Sequence, residues 1–367
     1  MRPFLILLAL FFPISALAQT LETSAGRVSV DRIVNGLNAP WGFGFLPDGG
    51  ILITERGGDL YLLRPGQLDR VSGAPRVVDE GQGGLLDVMI PRDFAETREV
   101  FFTLAERTRG GAATAIAKGT LSADGLELQN VETLLLMNNV ERGGRHFGSR
   151  LVEGRDGKIY ATTGDRGNRT AAQDLATHHG VVVRINRDGS VPSDNPFVGV
   201  EGAQPEIWSY GHRNIQGAAL DLSDTLWTVE HGARGGDEIN QPEPGANYGW
   251  PVISYGTHYS GARIGEGTEA DGMEQPAFFW DPSIAPSGMM VYSGRLWPEW
   301  EGDMFVGSLK FDMISRLELG RSVGEVERIA GDETLRVRDI REAPDGSIWF
   351  LSVGQGALYR MTPATSG

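Results

Sequence analysis

The chain has no cysteine, which excludes a disulfide framework and any thiolate metal site. Histidine is scarce, with six in 367 residues, so each one needs a reason for its place. Positive charge is in deficit as well: 33 lysines and arginines stand against 48 aspartates and glutamates, a net charge of −15. Such a chain repels a phosphate backbone, and nucleic acid is not an expected partner. Beyond the first residues no apolar run approaches the roughly 18 residues that span a bilayer, so no membrane insertion is expected of the mature protein. Helical periodicity is also rare.

What is present begins with MRPFLILLALFFPISALA, a cationic start, a short apolar run and a small-residue ending, the pattern of a secretory signal peptide cut after Ala18. Losing Arg2 with that leader takes the net charge from −15 to −16. Export without disulfides suits a bacterial periplasm. Glycine, at 51 residues, is about twice its usual share and is spread along the chain, which fits many tight turns better than a linker.

The turns punctuate a repeat. A short apolar or β-branched run, a P-D-G-like turn, a second run, a glycine turn and a third run recur, as in WGFGFLPDGGILITERGGDLYLL and VRDIREAPDGSIWFLSVGQGALYRM. Taking Trp41, Gly84, Gly148, Gln216, Gly288 and Arg338 as equivalent starts gives steps of 43, 64, 68, 72 and 50 residues. Each unit supplies about four strands, so the spacing predicts an all-β, six-bladed propeller filling residues 19–367 as one domain. The longer middle steps imply insertions at the ends of the disc, where sites are built. The early run RVSVDRIV has no unit of its own and is expected to pair with the last one, closing the ring.

Several unit entrances carry chemistry. ERGGRHFGSRL sets His146 among glycines, and the same unit continues to TTGDRGN with Asp165. An imidazole titrates near pH ~6.5 and suits proton transfer, and a carboxylate in reach would fix its tautomer. A structural hydrogen bond for His146 and an Asx-type turn for Asp165 remain the plainer alternatives. The next entrance, IWSYGHRNIQG, brings His212, Arg213, Asn214 and Gln216. SLKFD places Lys310 and Asp312, and LRVRD places Arg336 and Arg338, two apart, on one face if each run is a strand. Each cation alone reads as a solvated surface charge; gathered on one face they would hold a compact polyanion, arginine gripping carboxylates bidentately. TVEHGARGGDEINQPEPGANYGWP mixes Glu230, Asp237 and Glu238 with glycines, which suits either a hard cation such as calcium or a long turn with its acids in water. His178 and His179 are adjacent, would point oppositely in a strand, and read as structural.

GQGGLLDV, RHFGSRL, TGDRGN, AQDLATHHG, GHRNIQG, EHGARGGDEIN, NYGWP, GSLKFD and LRVRDI together resemble the soluble aldose sugar dehydrogenases that depend on pyrroloquinoline quinone (PQQ), relatives of soluble quinoprotein glucose dehydrogenase. The resemblance runs from about Asn35 to Tyr359. It implies a six-bladed propeller with PQQ on one face, His146 as general base and Asp165 orienting it. It implies cofactor contacts at Gln82, Arg213, Asn214, Lys310, Arg336 and Arg338, with Asp312 and Tyr259 matched by position alone. Carbonyls of Gly232 and Ala233 match ligands of a catalytic calcium, and Glu238 and Tyr248 a second, structural calcium site. Arg145, where the glucose dehydrogenase branch carries an acid, Ala233 in place of a proline, and the shorter chain point to the broader aldose branch.

The implied reaction removes the anomeric hydroxyl proton of an aldose through His146 while the C1 hydrogen passes as hydride to the quinone, giving a lactone. Electrons then pass to a quinone, cytochrome or other redox carrier, and the protein is expected as a monomer or homodimer. Two other classes are open. A lactonase-type calcium hydrolase would converge acidic and amide side chains on the central channel. A carbohydrate-binding propeller would repeat an aromatic platform once per blade, whereas the eight tryptophans here keep no register with the units.

Overall fold

The computed structural model describes residues 19–364; the expected leader lies outside the described residues. Six antiparallel sheets follow one another along the chain. Their innermost strands are Pro40–Phe45, Leu85–Met89, Leu151–Glu153, Ile215–Leu220, Pro286–Val291 and Val337–Glu342, each starting within three residues of the expected unit start. Every innermost strand packs on the next, and the sixth packs on the first, so the sheets form a closed six-bladed propeller. Side chains interleave between neighbouring blades. Phe43 and Ile53 of the first meet Leu351 and Leu358 of the last, and Val229 and Ile239 of the fourth meet Met289 and Val306 of the fifth.

The ring closes as the early run suggests. Gly26–Val34 pairs antiparallel with Ala357–Pro363, from Val28 opposite Pro363 to Val34 opposite Leu358. The structure adds a strand that the repeats do not announce: Gln19–Thr23 pairs outside Gly26–Val34 and makes the last sheet five-stranded. Among the described residues no helix is long and apolar enough to cross a membrane.

Innermost strands of five blades open with a register shift, between residues 40 and 42, 85 and 88, 215 and 217, 286 and 289, and 337 and 339. A bulge leaves backbone groups unpaired at the axis, and buried N–H groups need acceptors. Carboxylates supply them. Asp87 accepts the Val88 N–H of its own bulged strand at 2.9 Å and Asp339 that of Ile340 at 3.1 Å; each also reaches a neighbouring blade, Asp87 to the Leu151 N–H at 2.9 Å and Asp339 to the Phe43 N–H at 3.3 Å. Their charge is balanced by Arg150, 3.0 Å from Asp87 and 2.9 Å from Asp339, and by Arg341, 2.6 Å from Asp87 and 2.9 Å from Asp339. Glycines on the facing blades make the room. A Cβ on Gly42 would sit 2.9 Å from the Asp87 carboxylate, and one on Gly288 would overlap the Asp339 carboxylate.

Two sequence-based placements are corrected. Lys310 and Asp312 do not share a strand face: they lie in the turn after Met304–Ser308, with Asp312 at φ 55°. Arg336 likewise precedes Val337–Glu342 at φ 54°, and only Arg338 is on the strand. The Asp312 carboxylate accepts the Arg336 N–H at 2.9 Å, and its carbonyl accepts the Thr334 hydroxyl, so the two runs are turns that brace each other. His178 and His179 are also in a turn rather than a strand. His178 Nδ1 accepts the Asn138 N–H at 2.8 Å, and His179 Nδ1 meets the Thr177 hydroxyl at 3.0 Å.

Removing Arg150 would leave two buried carboxylates sharing one guanidinium. Arg150→Leu is expected to lower the unfolding free energy by about 3–5 kcal/mol, the usual cost of orphaning a buried charge. Urea denaturation checks this; an unchanged midpoint would contradict the role given to the quartet.

Candidate active site

One face of the disc carries the starts of the innermost strands and the turns from each second strand to the third. A cavity of about 1190 Å³ opens there. Gln82, Asn214, Gly232 and Ala233 line one side, and Lys310, Asp312, Arg336 and Arg338 the other. Tyr259 stands at the mouth, 77% exposed, on the long connection after Asp237–Asn240. His146 and Arg213 are not part of the lining, but their neighbours Phe147, Gly148 and Asn214 are.

The TTGDRGN turn and the RHFGSRL entrance are built against each other. His146 adopts φ 54°, a left-handed conformation unusual for a side chain with a Cβ. Gly164 permits the close approach, since a Cβ there would collide with the His146 carbonyl. Nδ1 of His146 lies 2.6 Å from the Asp165 carboxylate, which identifies Nδ1 as the protonated nitrogen and leaves Nε2 with its lone pair. Asp165 is fully buried and also accepts the Gly167 N–H at 2.7 Å and the Trp250 indole N–H at 2.8 Å. Gln82 accepts the His146 backbone N–H at 2.6 Å. Burial pushes the imidazole below its ordinary range; the bond to Asp165 opposes this and the charge of Arg213 adds to it. Burial acts to raise the Asp165 carboxyl, yet the bond to His146 and its other contacts hold it below the ordinary range.

Among the described residues, Arg56 of the cavity wall pairs with Asp79 at 3.5 Å, but the other cations there have no counterion. No carboxylate among the described residues lies within ion-pair distance of Arg213, Lys310, Arg336 or Arg338, whereas the buried Arg150, Arg184 and Arg316 are each paired. Arg338 reaches Gln216 at 2.9 Å and lies over the Trp41 ring at 5.5 Å. Its burial, with Arg150, Arg336 and Arg56 nearby, pushes it down to about 9. Lys310 donates only to the Ser283 carbonyl, at 3.0 Å, and the Arg336 guanidinium to that of Leu309, at 2.8 Å. Asn214 spends its carbonyl oxygen on the Gly148 N–H and on Gln216, which leaves its amide nitrogen for a ligand.

Across the cavity, Asp237 staples the Gly232–Ala233 segment. It accepts the Gly232 N–H at 2.8 Å, the Ser283 hydroxyl at 2.7 Å and the Ala285 N–H at 2.9 Å. No hydrogen-bond donor among the described residues takes the carbonyl of Gly232 or of Ala233. Behind them is a void of about 10 Å³ lined by Glu230, Glu238, Tyr248 and Arg213. Glu230 is well satisfied by His212, the Arg213 N–H and Asn240. Glu238 has only Asn240, at 3.3 Å, and burial together with the charge of Glu230 holds its carboxyl well above the ordinary range. Oδ1 of Asn240 is buried without a partner. The Tyr248 hydroxyl is engaged by the Glu243 N–H and the Gln241 carbonyl, so its own carbonyl is the oxygen it can offer. No group of three or more histidine, aspartate or glutamate side chains with metal-ligand geometry occurs among the described residues.

Sequence reasoning missed Trp250, the third partner of Asp165, and Trp41 and Arg56 in the lining. Arg56 had a signal: TERGG follows the first blade's second strand just as TTGDRG follows the third's. His231, also in the lining, donates from Nε2 to the Pro286 carbonyl at 2.6 Å and is pushed down to about 3 by burial and by Arg213.

Because burial outweighs the Asp165 bond, His146 is expected to remain neutral to a lower pH than a free imidazole. Nitrogen-15 NMR of the histidine rings tests this; a His146 midpoint at or above 6.5 would contradict it. Asp165→Asn should lower that midpoint further, since the carboxylate is the group that favours the imidazolium.

The chain is similar to proteins of known family along nearly its whole length. The glucose/sorbosone dehydrogenase pattern matches residues 37–360. Aldose sugar dehydrogenase YliI of Escherichia coli is 41% identical over 360 residues, covering 96% of this chain and 97% of the relative. The apo crystal structure of the E. coli soluble aldose sugar dehydrogenase superposes with a TM-score of 0.88 at 40% identity, over 92% of this chain and all of that one. The PQQ-bound aldose sugar dehydrogenase of Streptomyces coelicolor superposes with a TM-score of 0.74 at 25% identity, over 91% and 98% of the two chains. Matched along almost its whole described length in pattern, sequence and blade geometry, the chain belongs to the glucose/sorbosone dehydrogenase family.

Proposed function

We propose that the protein oxidises the anomeric hydroxyl of aldose sugars such as glucose to lactones, with PQQ as the bound oxidant and calcium beside it. The carrying observation is the set of four uncompensated cations around one cavity of an acidic protein. PQQ is a compact tricarboxylate. Its charge would offset the burial and the like-charge repulsion that together depress Arg338, with Arg213, Lys310 and Arg336 as further partners and Gln82 and Asn214 as neutral ones. The bare carbonyls of Gly232 and Ala233 suit a hard cation on the cavity side. Glu238, the orphaned Asn240 oxygen and the Tyr248 carbonyl suit a second one behind.

When bound, PQQ supplies the hydride acceptor, and calcium polarises the carbonyl that receives the hydride. The protein's part is proton transfer and orientation. Asp165 holds the proton on Nδ1 of His146, so Nε2 is the atom that takes the anomeric hydroxyl proton. Gln82, bonded to the His146 backbone, ties the base to a residue of the cavity wall. Trp250 and Gly167 hold Asp165 so that it cannot turn away from the imidazole. A hydrolase reading is less favoured because the axial acids, Asp87 and Asp339, are neutralised by Arg150 and Arg341 rather than free for a cation. The leader pattern and the absence of cysteine support action in the periplasm.

Titration of apoprotein with PQQ and calcium tests the cofactor assignment. Lys310→Ala and Arg338→Ala each remove a charge-assisted contact worth roughly 1.5–3 kcal/mol, so PQQ affinity is expected to fall about 10- to 100-fold. Unchanged titration curves for both would sink it.

The base is tested by single-turnover reduction of bound PQQ by glucose. His146→Gln is expected to bind PQQ almost normally yet react roughly 10²- to 10⁴-fold more slowly, the range for a positioned base. A near-wild-type rate in the fully loaded variant would rule His146 out.

A further inference from the structure

Arg166 follows Asp165 in the chain and is 2% exposed. Its guanidinium donates to three backbone carbonyls: those of Arg145, of Gly143 at 3.1 Å and of Ala112 at 3.2 Å. It lies against the Phe147 ring, 3.4 Å from the centroid. No carboxylate among the described residues is within ion-pair distance, and its Nε is buried without a partner. Burial pushes it down to about 10, so it remains a cation at neutral pH. A buried arginine without a counterion costs stability unless its hydrogen bonds are needed.

The three acceptors show what the bonds hold. Arg145 and Gly143 flank the segment that carries His146, Phe147 follows it, and Ala112 belongs to the neighbouring blade. Its ends are anchored, by Glu141 paired with the Ala112 backbone and by the buried Phe147, whose carbonyl accepts the Thr114 hydroxyl at 3.0 Å; between these ends few contacts remain. Apart from Asp165 at the ring, Gln82 fixes it through its own N–H to the Gly144 carbonyl at 2.7 Å and through its side chain to the His146 N–H. Two consecutive glycines, Gly143 and Gly144, have no side chains with which to pack. Gln82 therefore grips the segment from the cavity wall and Arg166 grips it from beneath.

We propose that Arg166 is a positioning residue for His146: by clamping the carbonyls of Gly143 and Arg145 onto the neighbouring blade, it sets where the imidazole stands over the cavity. This rests on the reading of His146 as the base. The guanidinium touches neither cavity nor ring nitrogen, so its loss changes the rate and leaves the cofactor's partners in place.

The test compares Arg166→Gln, Arg166→Lys, His146→Gln and the double variant His146→Gln/Arg166→Gln, each loaded with PQQ and calcium. Single-turnover reduction of PQQ by glucose and PQQ titration are measured on all four. Arg166→Gln is expected to slow reduction roughly 10- to 100-fold, as displacement of a reacting group by about 1 Å does, with the titration curve unchanged. Arg166→Lys, which keeps the charge and reaches fewer carbonyls, should fall between Gln and wild type. The double variant should be no slower than His146→Gln alone, because a residue acting only through the base has nothing left to position. A near-wild-type Arg166→Gln beside a crippled His146→Gln overturns this proposal alone, and so does a double variant whose losses multiply. A near-wild-type His146→Gln overturns the base assignment and this proposal with it. If Arg166→Gln does not fold, Arg166→Lys decides: a slowed reduction with normal PQQ titration supports the clamp, and a wild-type rate removes it.

Discussion

Where six sheets converge, Asp87, Arg150, Asp339 and Arg341 form a buried quartet in which each acid meets both bases. The constraint behind it is backbone hydrogen bonding. Innermost strands pack their starts against the axis, and the two aspartates accept N–H groups both from their own bulged strands and from neighbouring blades. Burying those charges then demands the two arginines, and fitting all four demands glycine at Gly42 and Gly288. The result is a plugged axis. The quartet is coupled to the cavity through one ring, since Arg150 and Arg338 of the cavity wall both lie over Trp41.

Charge is therefore divided by depth. At the plug every charge is matched; in the cavity every cation but Arg56 is left unmatched; beside the cavity the excess is negative, at Glu230 and Glu238. By sign alone, the first of the two unmatched regions suits an anion and the second a cation. His146 stands at the edge of the first region, and the positive field of Arg213 favours its neutral form, which is the form able to take a proton.

Much of this was legible in the sequence because turns and repeats are local. The P-D-G and glycine turns marked all six blades, and the entrances marked the side chains that meet at the cavity. What failed was the conformation of those entrances. SLKFD and LRVRD alternate like strands, but Asp312 and Arg336 take left-handed backbone that only their mutual bracing makes tolerable. That bracing is a contact between residues 24 apart, which alternation cannot report. Trp250 escaped for the same reason. It reaches Asp165 across 85 residues, through a connection without regular strands. The quartet was invisible too: its aspartates and arginines look like surface charges until the ring brings three blades together.

The closure of the ring bears on the order of events during synthesis. A chain made from its first residue onward completes Gly26–Val34 long before its partner strand, Ala357–Pro363, exists. Trp41 and Gln82 likewise wait for Arg338, the last cation of the cavity. No intermediate length of nascent chain can assemble the whole cavity, however well its early blades have formed. The full lining of the cavity is thereby complete only once the final blade has captured the first strands. A protein truncated by even that last blade would lack part of that lining while retaining most of its sheets.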